Sequence, residues 1–242
     1  MTGQTRLGML TPSSNTVLEP VCAALLAALP DVSCHFSRFR VTEISLGGAA
    51  LGQFEDRPML EAASLLADAR VAAICWNGTS AGWLGLDRDR LLCESITRAT
   101  GIAASSSVLA LGEIFRLTRV RRFGLVTPYR SDVQRQVVAT FAKEGFECSA
   151  ERHLQMSENF SFAAVSADTL KSMVREVARA GPDAITIFCT NLRGASLVEE
   201  LEEDLGIPIY DTTAAAVWVA LRIAGVDRKR VKGWGRLFRE VV

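Results

Sequence analysis

The stretch RLGMLTP at Arg6–Pro12 recurs later in the chain as RFGLVTP at Arg122–Pro128. Both stretches are short apolar runs that end in Thr-Pro, a pattern typical of a buried strand followed by a turn. A recurrence separated by roughly half the chain indicates a duplicated structural unit. We therefore expect two similar halves.

Two further landmarks recur in the same order. A buried apolar run meets small polar residues at Val71–Ser80, and the same change of character occurs at Ala184–Asn191. A Gly-Ile pair then precedes a short apolar run in each half, at Gly101 and at Gly206. The repeat predicts pseudo-twofold symmetry, and a ligand site is expected where the two halves face each other.

Strands alternate with helical patterns in both halves. Besides the repeated stretches above, strands are predicted at 32–41 and 147–153. Two more are predicted at 102–105 and 207–210, and each begins at the isoleucine of a Gly-Ile pair. Helices are predicted at 16–29, 58–69, 87–99, 107–117, 131–143, 167–180, 195–205 and 213–224. This alternation is typical of an α/β fold in which helices flank a parallel sheet.

The repeat also suggests how the chain divides. Residues 1–112 are predicted to form an N-terminal α/β lobe and residues 113–212 a C-terminal α/β lobe. The C-terminal segment 213–242 begins with a helix that we expect to return over the first lobe. The active site is expected between the lobes.

The composition excludes several classes of function. The 27 basic and 27 acidic side chains cancel, so no overall field favours nucleic acid or a membrane surface. The sequence has no long apolar run and no signal-peptide pattern, which favours a cytoplasmic protein. Six cysteines without CxxC spacing and only two histidines argue against a metal site and favour reduced thiols. Association into a homo-oligomer stays open.

Polar turns follow the predicted strands in both halves. They lie at 11–15, 77–80, 127–129, 157–159 and 189–191 and are rich in hydroxyl and amide groups. Such turns can bind carboxylates and developing oxyanions. For any single Ser, Thr or Asn, helix capping is the ordinary alternative, but recurrence in both halves favours binding.

One cysteine stands at the end of a predicted strand. Cys189 lies in ITIFCTNLRG at Ile185–Gly194, where turn amides could lower the pKa of its thiol. A buried structural cysteine is an equally good interpretation from position alone. The other five cysteines, including Cys75 within a strand, are expected in the core.

Five motifs together resemble the aspartate/glutamate racemase superfamily, in the branch of maleate cis-trans isomerase and arylmalonate decarboxylase. They are TPSSN at 11–15, GTS at 78–80, TPY at 127–129, CTNLR at 189–193 and GWGRL at 233–237. The resemblance covers essentially the whole chain. It implies a small carboxylate or dicarboxylate substrate and no metal or other cofactor.

The resemblance also implies a catalytic cysteine on each lobe, and here the sequence departs from it. The second cysteine falls on Cys189, but the first falls on Gly78. A two-base racemase needs a thiol on each face of the substrate, and maleate isomerase needs the first thiol as a nucleophile. Arylmalonate decarboxylase resembles the pattern found here. We therefore expect loss of CO2 to give an enediolate, which Cys189 as a protonated thiol then protonates on one face.

The same resemblance implies a set of substrate-binding residues. Thr79, Ser80 and Tyr129 would hold the carboxylate that the product retains. Ser14 and Asn159, with their neighbours, are more similar to the maleate isomerase side, where such residues bind a C4 diacid. The full predicted set is Ser13, Ser14, Asn15, Thr79, Ser80, Tyr129, Asn159, Thr190 and Asn191.

Alternatives remain open at this level. Trp76, Trp83 and Phe160 could line an apolar pocket or belong to the core. An isomerase or racemase would need Cys75 or a water to replace the missing thiol. A non-catalytic dicarboxylate-binding protein would keep the pocket without turnover.

Overall fold

Two four-stranded parallel sheets form the framework of the computed structural model, which describes residues 3–241, the side chain of Ala49 excepted. The first sheet has the order β2-β1-β3-β4 and the second has the order β6-β5-β7-β8. The strands are β1 Thr5–Pro12, β2 Val32–Phe39, β3 Ala73–Trp76, β4 Ala104–Ser106, β5 Arg122–Thr127, β6 Glu147–His153, β7 Ala184–Ile187 and β8 Ile209–Asp211. The identical strand order confirms the predicted α/β class and the duplication.

Helices flank both sheets. They are α1 Leu18–Leu25, α2 Gly48–Gly52, α3 Asp56–Asp68, α4 Ala81–Leu84, α5 Leu86–Thr100, α6 Ser107–Leu117, α7 Ser131–Lys143, α8 Ala167–Ala178, α9 Val198–Leu205, α10 Thr212–Ile223 and α11 Arg236–Glu240. Short 3₁₀ helices lie at Phe160–Ala164, Ala195–Leu197 and Arg228–Arg230. Among the described residues, no helix has both the length and the hydropathy needed to cross a bilayer.

The repeated Gly-Ile pair is explained by the ends of two helices. Gly101 follows α5 with φ of 72°, and Gly206 follows α9 with φ of 69°. Both are left-handed C-caps, a conformation that glycine adopts without the clash that a Cβ would cause. Each cap turns the chain toward β4 or β8, so the landmark marks the same turn in each half.

Two helices are exchanged between the halves. Helix α6 follows β4, yet its Phe115 ring lies 5.4 Å from that of Phe123 in β5 and 6.1 Å from that of Tyr210 in β8. Helix α10 follows β8 and packs on α1, β3 and β4 as well as on α6. Every residue from Thr212 to Leu221 is buried. Each sheet is thus covered by a helix from the other half. The boundary predicted at residue 112 falls inside α6, and the division into lobes stays a prediction.

Some element bounds differ from the sequence expectation. The helix expected at 16–29 is shorter and spans Leu18–Leu25; Asn15 Oδ1, just before it, accepts hydrogen bonds from the amides of Val17 and Leu18 at 2.9 Å. The glycine-rich segment 46–52 contains α2, although glycines ordinarily favour a loop. Within the stretch Val71–Ser80, the strand β3 ends at Trp76.

Candidate active site

A cavity lies where the carboxyl ends of strands from both sheets meet, the usual place for chemistry in parallel sheets. Its volume of about 20 Å³ is room for roughly one water molecule. A substrate with several heavy atoms therefore requires the surrounding side chains to move apart. The cavity is lined by Pro12, Val41, Ile44, Phe54, Trp76, Gly78, Thr79, Ser80, Trp83, Tyr129, Asn159, Cys189 and Thr190.

Cys189 is buried in this lining, only 3% exposed. Burial raises the pKa of its thiol to about 12, because the thiolate would lose its hydration. The hydrogen bond from Tyr129 and the amide of Asn191, whose N lies 3.4 Å from Sγ, act in the opposite direction but do not outweigh burial. The turn amides do lower the pKa of the thiol, as their position suggested, but burial has the larger effect. At neutral pH Cys189 carries its proton, as a proton donor must.

A pair of hydroxyl groups lies beside this thiol. Thr79 Oγ1 and Tyr129 Oη are 2.5 Å apart, and both residues are buried. The Tyr129 amide donates to Thr127 Oγ1 at 3.2 Å, and Thr127 in turn donates to Gln134 Oε1 at 2.6 Å. Burial raises the pKa of Tyr129 well above its usual value, so its hydroxyl stays protonated. The pair can donate hydrogen bonds to a carboxylate or an enediolate oxygen.

Gly78 lies under the indole of Trp76. A Cβ added at Gly78 would collide with that ring, since Cε2 would lie 2.5 Å away and two further ring carbons closer still. Trp76 is fully buried and packs on Phe39 with ring centroids 5.0 Å apart. The Gly78 carbonyl accepts a hydrogen bond from Ser107 Oγ at 2.7 Å, which fixes the turn. The indole of Trp76 therefore occupies the space that a side chain at position 78 would need.

Cys75 does not reach the cavity. It is fully buried in β3 next to Trp76, and neighbouring side chains of a strand point to opposite faces. Burial raises the pKa of Cys75 well above its usual value. Cys189 is the one thiol in the cavity lining, judged on the described residues. Within that same span no cluster of three His, Cys, Asp or Glu side chains could hold a metal ion.

Several predicted binding residues instead connect the two halves. Asn15 Nδ2 donates to the carbonyl of Thr190 at 3.1 Å, and Thr190 Oγ1 donates to the carbonyl of Asn77 at 3.0 Å. Asn191 accepts from the Thr16 amide at 3.0 Å and donates to the Asn159 carbonyl at 2.6 Å. These hydrogen bonds hold the turn after β7 against the turns after β1 and β3 of the other half and against the segment after β6, which positions Cys189.

The remaining polar residues form a second connection. Ser13 and Ser14 both donate to the carbonyl of Val41, at 3.3 and 2.6 Å, and Ser14 accepts from Asn159 Nδ2 at 2.8 Å. Asn159 also donates its amide to Thr42 at 2.9 Å. Of the predicted set, Gly78, Thr79, Ser80, Tyr129, Asn159, Thr190 and Cys189 line the cavity. Ser13, Ser14, Asn15 and Asn191 lie beside it, and their role in substrate binding stays a prediction.

The apolar part of the lining was only partly foreseen. Trp76 and Trp83 line the cavity, whereas Phe160 is 60% exposed and does not, so neither interpretation of Phe160 was right. Ile44 and Phe54, on either side of the glycine-rich segment 46–52, complete the wall. These two residues could not be found from the sequence, because only the folded path of this segment places them over the site. The glycines between them were the one local signal of an unusual segment.

Comparisons with known proteins agree with this geometry. The family model described as arylmalonate decarboxylase matches residues 34–238. Maleate isomerase from Nocardia farcinica is 31% identical over 248 residues, covering 98% of this chain and 97% of the relative. Arylmalonate decarboxylase from Bordetella bronchiseptica is 27% identical over 237 residues, covering 97% of this chain and 96% of the relative.

Solved structures of the same two kinds share the fold. A cysteine-to-serine mutant of Nocardia farcinica maleate cis-trans isomerase, with a covalently bound succinylcysteine intermediate, superimposes with a TM-score of 0.89. It is 28% identical and the match covers 98% of this chain and 99% of that one. A liganded mutant of arylmalonate decarboxylase, with one glycine changed to cysteine and one cysteine to serine, gives a TM-score of 0.86 at 25% identity, covering 98% and 99%. The chain therefore belongs to the arylmalonate decarboxylase family, within the branch that also contains the maleate isomerases.

Proposed function

We propose that this protein is a cofactor-independent lyase that decarboxylates a small malonate-type acid and protonates the product through Cys189. One observation carries the proposal: a single protonated thiol lines the cavity, while the equivalent position in the other half is glycine beneath an indole. This arrangement has one proton donor and suits chemistry on one face of a carbanion.

The reaction balances with the groups in the cavity. The bond between the α-carbon and one carboxylate breaks, CO2 leaves, and the electron pair stays on the α-carbon as an enediolate. Hydrogen bonds from Thr79, Ser80 and Tyr129 stabilise the negative charge on the enediolate oxygens. The proton on Cys189 Sγ then moves to the α-carbon, and the resulting thiolate recovers a proton from solvent.

The apolar wall contributes to the first step. Val41, Ile44 and Phe54 are each nearly fully buried and line the cavity without offering polar side-chain atoms. A carboxylate placed against them is poorly solvated, and its charge disappears as CO2 forms. The wall thus favours the transition state over the ground state.

A maleate isomerase activity is the second candidate. The 31% identity to the Nocardia farcinica isomerase favours it, as does Asn159 in the cavity lining. That activity needs a nucleophilic thiol at the first position, which is Gly78 here, and the raised pKa of Cys189 opposes thiolate formation at the second. The decarboxylase therefore fits the site better.

The two candidates are separated by one set of assays. Methylmalonate in deuterated buffer should release CO2 and give propionate with deuterium at the α-carbon, as followed by NMR. Cys189→Ser should lower the rate about 10²-fold or more, because its hydroxyl is a much weaker acid. Cys148→Ser, a half-buried cysteine outside the cavity lining, is the matched control and should keep wild-type activity.

Other outcomes point elsewhere. Conversion of maleate to fumarate without CO2 release from any malonate would replace the lyase by the isomerase. Binding of dicarboxylates without their consumption would leave a binding protein. Full activity of Cys189→Ser would remove the thiol from the mechanism altogether.

A further inference from the structure

Two tryptophans that line the cavity have buried indole N–H groups without a hydrogen-bond partner among the described residues. Trp76 is fully buried and Trp83 is 7% exposed, and both line the cavity. Neither Nε1 atom has a hydrogen-bond partner in the described part of the chain. Buried polar groups in native proteins are nearly always hydrogen-bonded. Two such donors around one cavity therefore indicate an acceptor that arrives with the ligand.

A buried indole elsewhere in the same chain behaves differently. Trp218 in α10 is also fully buried, and its Nε1 donates to the carbonyl of Val241 at 3.2 Å. Trp218 lies in the core away from the cavity, and its N–H group thus has a partner within the fold. The contrast makes the two cavity tryptophans a feature of the site.

The acceptor cannot be either carboxylate of a malonate unit. In the proposed reaction, the carboxylate that remains in the product is bound by Thr79, Ser80 and Tyr129. The one that leaves as CO2 would be stabilised in its charged form by two N–H donors, which opposes decarboxylation. The remaining candidate is an oxygen on the α-substituent.

Space in the cavity points to the same kind of substituent. The Trp76 ring takes the volume in front of Gly78, and Trp83 packs edge-on against Phe54 and Tyr129, with ring centroids 5.8 and 5.4 Å apart. The room left, about 20 Å³, is far less than an aryl ring requires. A compact substituent would displace these packed rings less than an aryl ring would.

We infer that the cavity selects a malonate-type acid whose α-substituent is compact and carries an acceptor oxygen, which binds the indole N–H groups of Trp76 and Trp83. A hydroxyl oxygen fits this description, whereas methyl and phenyl groups lack an acceptor. The malonate part of this statement and the exclusion of its two carboxylates rest on the proposed function, whereas the unpaired state of the two indole N–H groups does not. Trp76 and Trp83 are then the residues that determine specificity.

The test compares two substrates of equal size. Hydroxymalonate and methylmalonate differ in one OH against one CH3, and the wild type should have the higher kcat/KM for hydroxymalonate. Trp76→Phe and Trp83→Phe keep an aromatic ring and remove the N–H, so each should lower this preference about threefold to tenfold. Trp218→Phe removes an N–H outside the cavity and should leave the preference unchanged. No preference in the wild type, or an unchanged preference in both cavity variants, overturns the inference.

Binding of unreactive ligands separates this inference from the proposed function. Glycolate and propionate are the decarboxylation products of the two substrates and differ by the same OH against CH3. Ligand-observed NMR should show tighter binding of glycolate to the wild type, with the advantage lost in Trp76→Phe and Trp83→Phe. If this pattern holds while no malonate is decarboxylated, the inference stands and the proposed function fails. If malonates are decarboxylated without this pattern, the function stands and the inference fails.

Discussion

The contact between Trp76 and position 78 gives a prediction that can be measured by protein stability. In Gly78→Cys, the new Cβ would lie 2.5 Å from Cε2 of the indole, and the fully buried ring has little free space into which to move. The colliding atoms belong to a rigid ring system. We expect a loss of about 3 kcal/mol, the upper end of the overpacking range, and a fall in Tm of about 6–12 °C.

The double variant shows whether this clash is the cause. Trp76→Ala alone should cost about 3–5 kcal/mol, because it leaves a cavity in the core. In Trp76→Ala with Gly78→Cys, the thiol enters the vacated space, so the two losses should not add. We expect a coupling free energy of about 2–3 kcal/mol. Urea unfolding of the four proteins under reducing conditions, followed by circular dichroism, measures it.

A second glycine provides the control for this cycle. Gly112 in α6 would place an added Cβ no closer than 3.7 Å to its neighbours. Gly112→Cys combined with Trp76→Ala should therefore be additive to within about 0.5 kcal/mol. If the Gly78 and Trp76 changes are additive to the same degree, the indole does not occupy the space in front of Gly78, and the reasoning about a one-thiol cavity is refuted.

Three further predictions follow from buried polar groups. Asn15→Ala should destabilise the protein by about 2–3 kcal/mol in urea unfolding, because it leaves the amides of Val17 and Leu18 unpaired and removes one of the two hydrogen bonds to the Thr190 carbonyl; a neutral effect would contradict the connection between the halves. Burial raises the pKa of Asp89 from 3.8 to about 7 in the folded state. The contribution of the Asp89 proton to stability is therefore fully present below pH 3.8 and is lost as the pH rises to about 7. Asp89→Asn should then be more stable than the wild type by about 2 kcal/mol or more at pH 8 and by less at pH 5, and an equal difference at both pH values would exclude this cause. Since the pKa of Cys189 is about 12, iodoacetamide should modify native Cys189 far more slowly at pH 8 than it modifies the urea-unfolded chain, as read by mass spectrometry, and equal rates would contradict a protonated buried thiol.

Much of the fold could be predicted because local patterns determine it. The bounds expected for α6, α7 and β6 agree with the structure. Helix α6, for example, begins where Ser106 Oγ accepts from the Leu109 amide at 3.1 Å, a local cap. The repeat predicted two similar halves, and the identical strand order of the two sheets confirms this. Helix α2 was missed because glycines disfavour helix on their own, and only the surrounding fold stabilises it there.

The site shows where sequence reasoning reaches its limit. The motifs located Cys189 and the glycine at 78, because both follow strands at equivalent places in the repeat. They could not give the protonation state of Cys189, since the pKa depends on tertiary burial. They also could not show that Trp76 folds back over Gly78, because this depends on how the side chain packs. Asn15 was expected to bind substrate from its place in a polar turn, yet its hydrogen bonds to Thr190 can be seen only once the halves are assembled.

The exchange of α6 and α10 has a consequence for the history of the site. A chain of half this length would lack the helix that the other half packs on its sheet, unless a second copy supplied it, so the two halves are arranged as the subunits of a symmetric dimer would be. In a dimer of identical chains, both faces of a shared pocket must carry the same residue. Fusion removes that constraint and lets each face change alone. The pocket can therefore have a thiol on one face, at Cys189, and an indole over glycine on the other.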